Sequence, residues 1–412
     1  HYPLRRQRQM CIRDSFKGYE FMDEMHRLGN RVILLTSDNL KDKNWPHHAL
    51  EDIFFMAEER PSVWNLSDMV KGFSYLMQNR KVDAVVALDD YDVEKAALLR
   101  ETFRIPGMGQ TAHRYFRDKL AMRQMAKLNH IDVPEFSAIF NNEEVNDFVE
   151  KVPAPWVLKP RSEASATGIK KISNKDDLWE IINSLGDERH KYLLESFKPG
   201  DVYHVDSLTY KNKVVFTSAS KYLAPPMQIS HEGGIFRSIT LGTDSEEFKA
   251  LKDANAKVLK DFGLANGATH TEFIRGKDDG KLYFLETSSR VGGAHIPEMV
   301  EAATGINLWK EWAKIEDSLL KNADYEIAEP TALYSGLIIA LTKNQFPDYT
   351  EFECNEVVRF LPIDYHVGIV YKSKSENTVR EKLDEAAEKI NDHLLNCLLY
   401  TSDAADEEDS VD

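Results

Sequence analysis

The chain has 412 residues, 42% of them hydrophobic and 29% charged, and its 52 Lys and Arg against 68 Asp and Glu leave a net charge of -16. That length exceeds what a single core supports, so two or three domains are expected, and no run of about 18 apolar residues is present to span a bilayer. An acidic balance with no segregated basic block excludes nucleic acid as a partner, and Cys11, Cys354 and Cys397 are too few and too scattered for a disulfide framework or a zinc site, which points to a reducing, cytoplasmic setting.

Residues 1–15 (HYPLRRQRQMCIRDS) carry clustered Arg without an apolar stretch of the secretory kind, and 397–412 end in an acidic run. Both strings resemble translated sequencing adapter. They are expected to stand outside the fold, the first in the place of a genuine first strand, and their removal is expected to cost no stability. From there Phe21, Met22, Met25 and Leu28 recur at helical spacing, Gly29 ends that helix, and RVILLTSD (31–38) reads as a buried strand. A helix over 64–79, a strand at DAVVALDD (83–90) and a helix over 93–103 continue the alternation, which predicts a small parallel, Rossmann-like sheet. Asp89 and Asp90 fall at the carboxyl end of their strand, where open α/β sheets bind ligands, although a solvated βα loop is the simpler explanation. GMGQTA (107–112) mimics a dinucleotide fingerprint but follows a helix and Ile105-Pro106, so it reads as a linker turn.

Asp118-Lys119 opens an amphipathic helix running to about Leu128, and 131–140 is extended. In WVLKPRSEASATGIKKI (156–172), Lys159 and Pro160 end a strand and a loop of small residues leads into the next. Backbone N–H groups of such a loop can approach an anion closely, with the lysine as a point charge. A plain surface hairpin fits the same letters. YLLESFKPGDVYHVDSLTY (192–210) predicts strand, reversal at Pro199-Gly200, and strand; 213–223 extends the antiparallel run and 246–262 is a helix ending at Gly263.

Residues 269–290 (THTEFIRGKDDGKLYFLETSSR) then alternate as two strands around Asp278-Asp279-Gly280. A three-residue loop with Gly280 left-handed sets Glu272 directly opposite Glu286, about 5 Å apart at Cβ, a like-charge pair that is unfavourable unless something positive lies between. A hard divalent cation resolves that conflict, and Arg290 with Val291-Gly292-Gly293 follows at the same sheet edge, a combination suited to a polyphosphate. An ordinary hairpin with a polar face fits the spacing as well. Residues 296–320 are helical in two pieces broken at Gly305, and 330–395 hold two strands and a charged helix.

The succession DK-x-x-M-R (118–123), KPRSEASATG (159–168), ESFKPGD (195–201), HTEF (270–273) and FLETSSRVGGA (284–294) resembles the ATP-grasp superfamily, and within it the carboxylate–amine ligase branch. The resemblance covers about 16–395. It implies an α/β and α+β chain: a Rossmann-like pre-ATP-grasp domain (16–112), a two-subdomain ATP-grasp domain (113–322, its lid subdomain about 120–192) and a small C-terminal α+β domain (323–396). It further implies that Lys119 and Lys159 hold ATP phosphates, that Ser165, Thr167 and Gly168 belong to a mobile loop closing over them, and that Glu195 and Phe197 form the hinge at the adenine. Glu272 and Glu286 become the ligands of Mg²⁺ or Mn²⁺. Ser288 stands where many members place a further metal-ligating Asn, Asp201 is the nearest acid to the ribose position, and Arg290 steadies the γ-phosphate and the acyl phosphate. The implied function is an ATP-dependent ligase forming an amide or peptide bond between a small carboxylate and an amine, with ADP and phosphate as products. Its alternatives are an ATP-binding regulator without turnover and an ATP-grasp carboxylase. His270 and His295 are candidates to touch substrate, against the commoner case of a structural histidine. No membrane partner is implied, and a homodimer is compatible.

Overall fold

The computed structural model describes residues 7–13, 17–60, 63–163, 167–227, 229 and 234–394. Four parallel strands lie in the order Leu50–Met56, Arg31–Ser37, Arg8–Arg13, Ala84–Ala87. Helices Tyr19–Arg27, Leu66–Met77 and Val93–Phe103 alternate with them, close to the sequence reading. Phe21, Met22 and Met25 pack against Cys11, Val32, Leu34 and Val86 on one face, while Met10, Ile33, Val85, Met69, Phe73, Ala96 and Leu99 fill the other. The strand order reverses between Arg8–Arg13 and Ala84–Ala87, so Asp89 and Asp90 sit at the switch point where such sheets open a crevice.

Contrary to the expectation that residues 1–15 stand outside the fold, Arg8–Arg13 is an interior strand paired on both sides, with Gln9, Met10 and Cys11 buried. Its short apolar content was hidden by the arginines around it, and only pairing with two strands more distant in sequence reveals it. A chain trimmed to 16–397 is therefore expected to melt several degrees lower, contrary to the sequence expectation; an unchanged midpoint in differential scanning calorimetry refutes the interior placement. The trailing segment 397–412 lies outside the described residues.

A second four-stranded sheet is antiparallel, in the order Phe136–Ala138, Tyr192–Ser196, Trp156–Pro160, Lys170–Ile172. Helices Asn142–Lys151 and Lys175–Ser184 cover it through Val145, Phe148, Leu178 and Ile182. The third sheet has eight strands: Leu282–Ser288, Gly267–Gly276, Gly200–Tyr210, Lys213–Tyr222, Phe236–Thr240, Tyr334–Leu341, His366–Ser373 and Val357–Phe360. Pro199-Gly200 does not turn a hairpin as expected. Tyr192–Ser196 and Gly200–Tyr210 belong to different sheets, and the intervening residues pass between them. Gly200 is required at that passage, because a Cβ there would lie 2.2 Å from the Arg275 carbonyl oxygen. The C-terminal strands continue the large sheet by pairing Phe236–Thr240 with Tyr334–Leu341, while helix Glu376–His393 forms a core of its own over them through Val379, Leu383, Ala386 and Ile390.

Candidate functional site

Helix Lys119–Leu128 starts where expected because the Asp118 carboxylate accepts from the Leu120 and Ala121 N–H groups, and Arg161 in turn holds Asp118, its Nε 2.9 Å from Oδ1. Lys119 thereby projects from the first turn. Its Nζ lies 2.6 Å from Glu286 Oε2 and donates to the Glu163 carbonyl at 2.6 Å. Four residues on, and so on the same helix face, Arg123 is fully buried, with Nε 2.6 Å from Glu195 Oε1 and a hydrogen bond from Nη1 to the Leu285 carbonyl. Lys159, on strand Trp156–Pro160, approaches the other oxygen of the same carboxylate at 2.6 Å. Two acids, Glu195 and Glu286, and three cations thus join the helix, the smaller sheet and the hairpin. The motif DK-x-x-M-R by itself implies no role for Arg123; its spacing of four from Lys119 is the signal in the sequence that places the two on one helix face.

The hairpin places Glu272 opposite Glu286, as expected, by a different route. Gly276 N–H bonds to the Lys281 carbonyl, so the loop has four residues, 277–280, and not three, with Gly280 at φ 68°. That loop alone shifts the register by one; an extra residue, Leu285, opposite the Glu272/Phe273 step restores it. The like charges are offset without a metal. Glu286 is paired with Lys119, while Glu272 accepts from Tyr222 Oη at 2.8 Å and has His270 Nε2 at 3.8 Å. Burial opposes ionisation of Glu286, but Lys119 beside it holds the carboxyl at about 2. His270 is pushed the other way: burial disfavours its charge, yet Asp206 at 2.9 Å raises it to about 9. The side chains of Glu286 and Glu272 keep 31% and 18% of their surface exposed, enough to receive a ligand. Two facing carboxylates fit a hard cation that takes its remaining oxygens from phosphate and water. Ser288 pairs with His270 in register and shares Glu286's side of the strand.

Arg290 reaches across to the parallel sheet, where its Nε and Nη2 contact Asp90 Oδ2 at 2.8 and 2.6 Å. That edge of the guanidinium is taken by Asp90, so a phosphate claiming it has to displace the aspartate. Asp89 pairs with Lys17 at 2.8 Å. The acids at the switch point are thus engaged with charged partners, which a solvated loop does not provide. Of the residues expected at the adenine hinge, Glu195 turns its carboxylate to Arg123 and Lys159, and Phe197 carries the Lys171 ammonium 3.9 Å above its ring. Asp201 is paired with Lys221 at 2.8 Å and half exposed. Gly168 is left-handed at φ 69°, with Thr167 beside it, and Ser165 lies outside the described residues. His295 bonds through Nδ1 to Glu298 at 3.0 Å.

Burial lowers the Lys159 ammonium to about 8, with the neighbouring Glu195 opposing. The charged form is the one that holds a phosphate. ATP affinity of the ligand-free protein is therefore expected to fall as pH rises through about 8, by up to about tenfold per unit, and binding at pH 8.5 should take up a proton. Calorimetry in buffers of different ionisation enthalpy measures that proton; none taken up, or the same pH dependence in Lys159→Gln, contradicts the assignment.

The ATP-grasp domain model matches residues 152–298. The chain is 26% identical over 324 residues to the L-arginine-specific L-amino acid ligase of Bacillus subtilis, covering 76% of this chain and 78% of that one. It is 22% identical over 204 residues to the D-alanine–D-alanine ligase of Neisseria gonorrhoeae, covering 48% and 66%. Among solved structures, the L-amino acid ligase from Bacillus licheniformis superposes with a TM-score of 0.74 at 19% identity over 95% of this chain and 99% of that one. N5-carboxyaminoimidazole synthetase from Staphylococcus aureus gives 0.69 at 14% over 92% and 96%. These superpositions show the fold, a mixed α/β and α+β arrangement of the ATP-grasp kind. Among the described residues no helix is long and apolar enough to cross a membrane.

Proposed function

The chain belongs to the ATP-grasp ligases of the carboxylate–amine branch, enzymes that form carbon–nitrogen bonds, and on that premise we propose that it joins a small carboxylate, an amino acid by likeness to its relatives, to an amine through an acyl phosphate. The observation that carries this reading is the convergence of Lys119 on Glu286 with Glu272 directly opposite. A carboxylate oxygen leaves badly; transfer of the γ-phosphoryl of ATP to it, with release of ADP, makes it a phosphate that leaves well. The amine nitrogen then attacks the acyl carbon, the C–O bond to phosphate breaks, and the amine proton passes to solvent. Glu272 and Glu286 would hold Mg²⁺, which would supply charge neutralisation at the transferring phosphoryl group. Lys119 exchanges Glu286 for phosphate oxygens, Lys159 does likewise from Glu195, and Arg290 passes from Asp90 to the incoming anion. We assign the pre-ATP-grasp division to the parallel sheet, the ATP-grasp division to the smaller antiparallel sheet with the strands from Gly200 to Ser288 of the large one, the C-terminal division to the strands that continue the large sheet from Tyr334 onward, and the 162–168 loop to closure over the phosphates, which keeps water from the acyl phosphate.

With the correct acid and hydroxylamine as surrogate amine, a hydroxamate is expected in step with ADP, measured across a panel of amino acids and small carboxylic acids. AMP and pyrophosphate in place of ADP exclude the acyl phosphate. ATP binding with no acid-stimulated turnover favours the regulatory alternative.

A further inference from the structure

A polar frame not used by the chemistry above is buried beneath Glu272. His204, Asp206 and Ser238 have no exposed surface; the first two lie on strand Gly200–Tyr210 of the large sheet and Ser238 on Phe236–Thr240, with Lys213–Tyr222 between them. His204 Nδ1 and His270 Nδ1 converge on the two oxygens of Asp206 at 2.8 and 2.9 Å, and His204 Nε2 meets Ser238 Oγ at 2.7 Å. With Nδ1 committed to Asp206, His270 turns Nε2 toward Glu272 Oε1. A second route reaches the same oxygen. The His204 ring packs on Tyr222 with centroids 4.7 Å apart, and the Tyr222 hydroxyl donates to Glu272 Oε1. In register, His204 is opposite Glu272 and Asp206 is opposite His270, so the frame is built on the strand next to the hairpin.

Burying two imidazoles and a carboxylate in a sheet is costly compared with an apolar filling, so stability alone does not explain the arrangement. The backbone also closes tightly on it. A Cβ on Gly292 would lie 2.9 Å from Asp206 Oδ1 and 3.0 Å from His270 Nδ1, so the loop after the hairpin can pass there only as glycine.

We propose that His204 and Asp206 are positioning residues that fix Glu272, through His270 and Tyr222, in the orientation that receives a divalent cation. The inference rests on Glu272 being a metal ligand. Outer-shell partners of metal carboxylates typically contribute about 10–100-fold in metal affinity. Asp206→Asn and His204→Phe in the full chain are therefore expected to weaken Mn²⁺ binding in the presence of ADP by about that factor, read by calorimetry and by the Mn²⁺ electron paramagnetic resonance spectrum. ADP affinity without metal should stay within about twofold, a split that general loosening of the fold does not produce. Ser238→Ala, which leaves the charged groups in place, and Gly292→Ala, whose Cβ crowds Asp206 and His270, test the frame should the first pair fail to fold, and each should alter the bound Mn²⁺ spectrum and weaken binding several-fold. Wild-type Mn²⁺ affinity in the folded members of this set overturns the inference while Glu272→Gln still weakens the metal. Wild-type affinity in Glu272→Gln as well overturns the metal assignment beneath it.

Discussion

Glu272→Gln combined with Glu286→Gln is expected to abolish Mg²⁺-dependent binding of ATP, a loss greater than about 100-fold, since outer-shell groups alone are worth about 10–100-fold. The two carboxylates are the facing acids of one hairpin, and each retains exposed surface. The replacements keep shape and hydrogen bonding but remove both charges, so the cation loses its anionic ligands. Metal-free ATP binding should not weaken. In the native chain Glu286 competes with phosphate for Lys119 at 2.6 Å, and the glutamine does so without charge. Calorimetric titration with ATP, with and without Mg²⁺, separates the two effects, and unchanged Mg²⁺–ATP affinity disproves the ligand assignment.

Arg123→Leu is expected to cost about 3–5 kcal/mol of stability, the usual cost of removing one member of a buried ion cluster. Arg123 is fully buried, pairs with Glu195 and donates to the Leu285 carbonyl. Without it Glu195 keeps only Lys159 against its burial, and a hairpin carbonyl one residue before Glu286 loses its donor. Because Arg123 ties helix Lys119–Leu128 to that strand, Lys119 should also lose its seat on Glu286, and ATP affinity should drop with stability. Urea unfolding measures the first effect and nucleotide titration the second. A loss below about 1 kcal/mol, the range of a surface pair, shows the cluster to be unimportant.

What the sequence by itself determined is what short spans encode. Helix Lys119–Leu128 was legible from Asp118 as a cap and from one apolar face, helix Val93–Phe103 from its periodicity, and the pairing of Glu272 with Glu286 from two alternating runs around a glycine turn. Even there the turn holds four residues where the spacing predicts three, and the bulge at Leu285 restores the register, because core-facing Phe273 and Phe284 set which side of the strand is buried. The succession of five motifs carried the resemblance to the ATP-grasp superfamily, and the ATP-grasp domain model matches residues 152–298, within which four of them fall entirely. Tertiary structure alone decided who stands beside whom. Arg290 meets Asp90 across 200 residues and His270 meets Asp206 across 64; Arg8–Arg13 becomes a strand only by lying between two others. Separations of that kind leave no periodic trace. Their partners are chosen by sheet order and by the need of every buried charge for a counter-charge or a hydrogen bond, a condition imposed only once the chain has closed on itself.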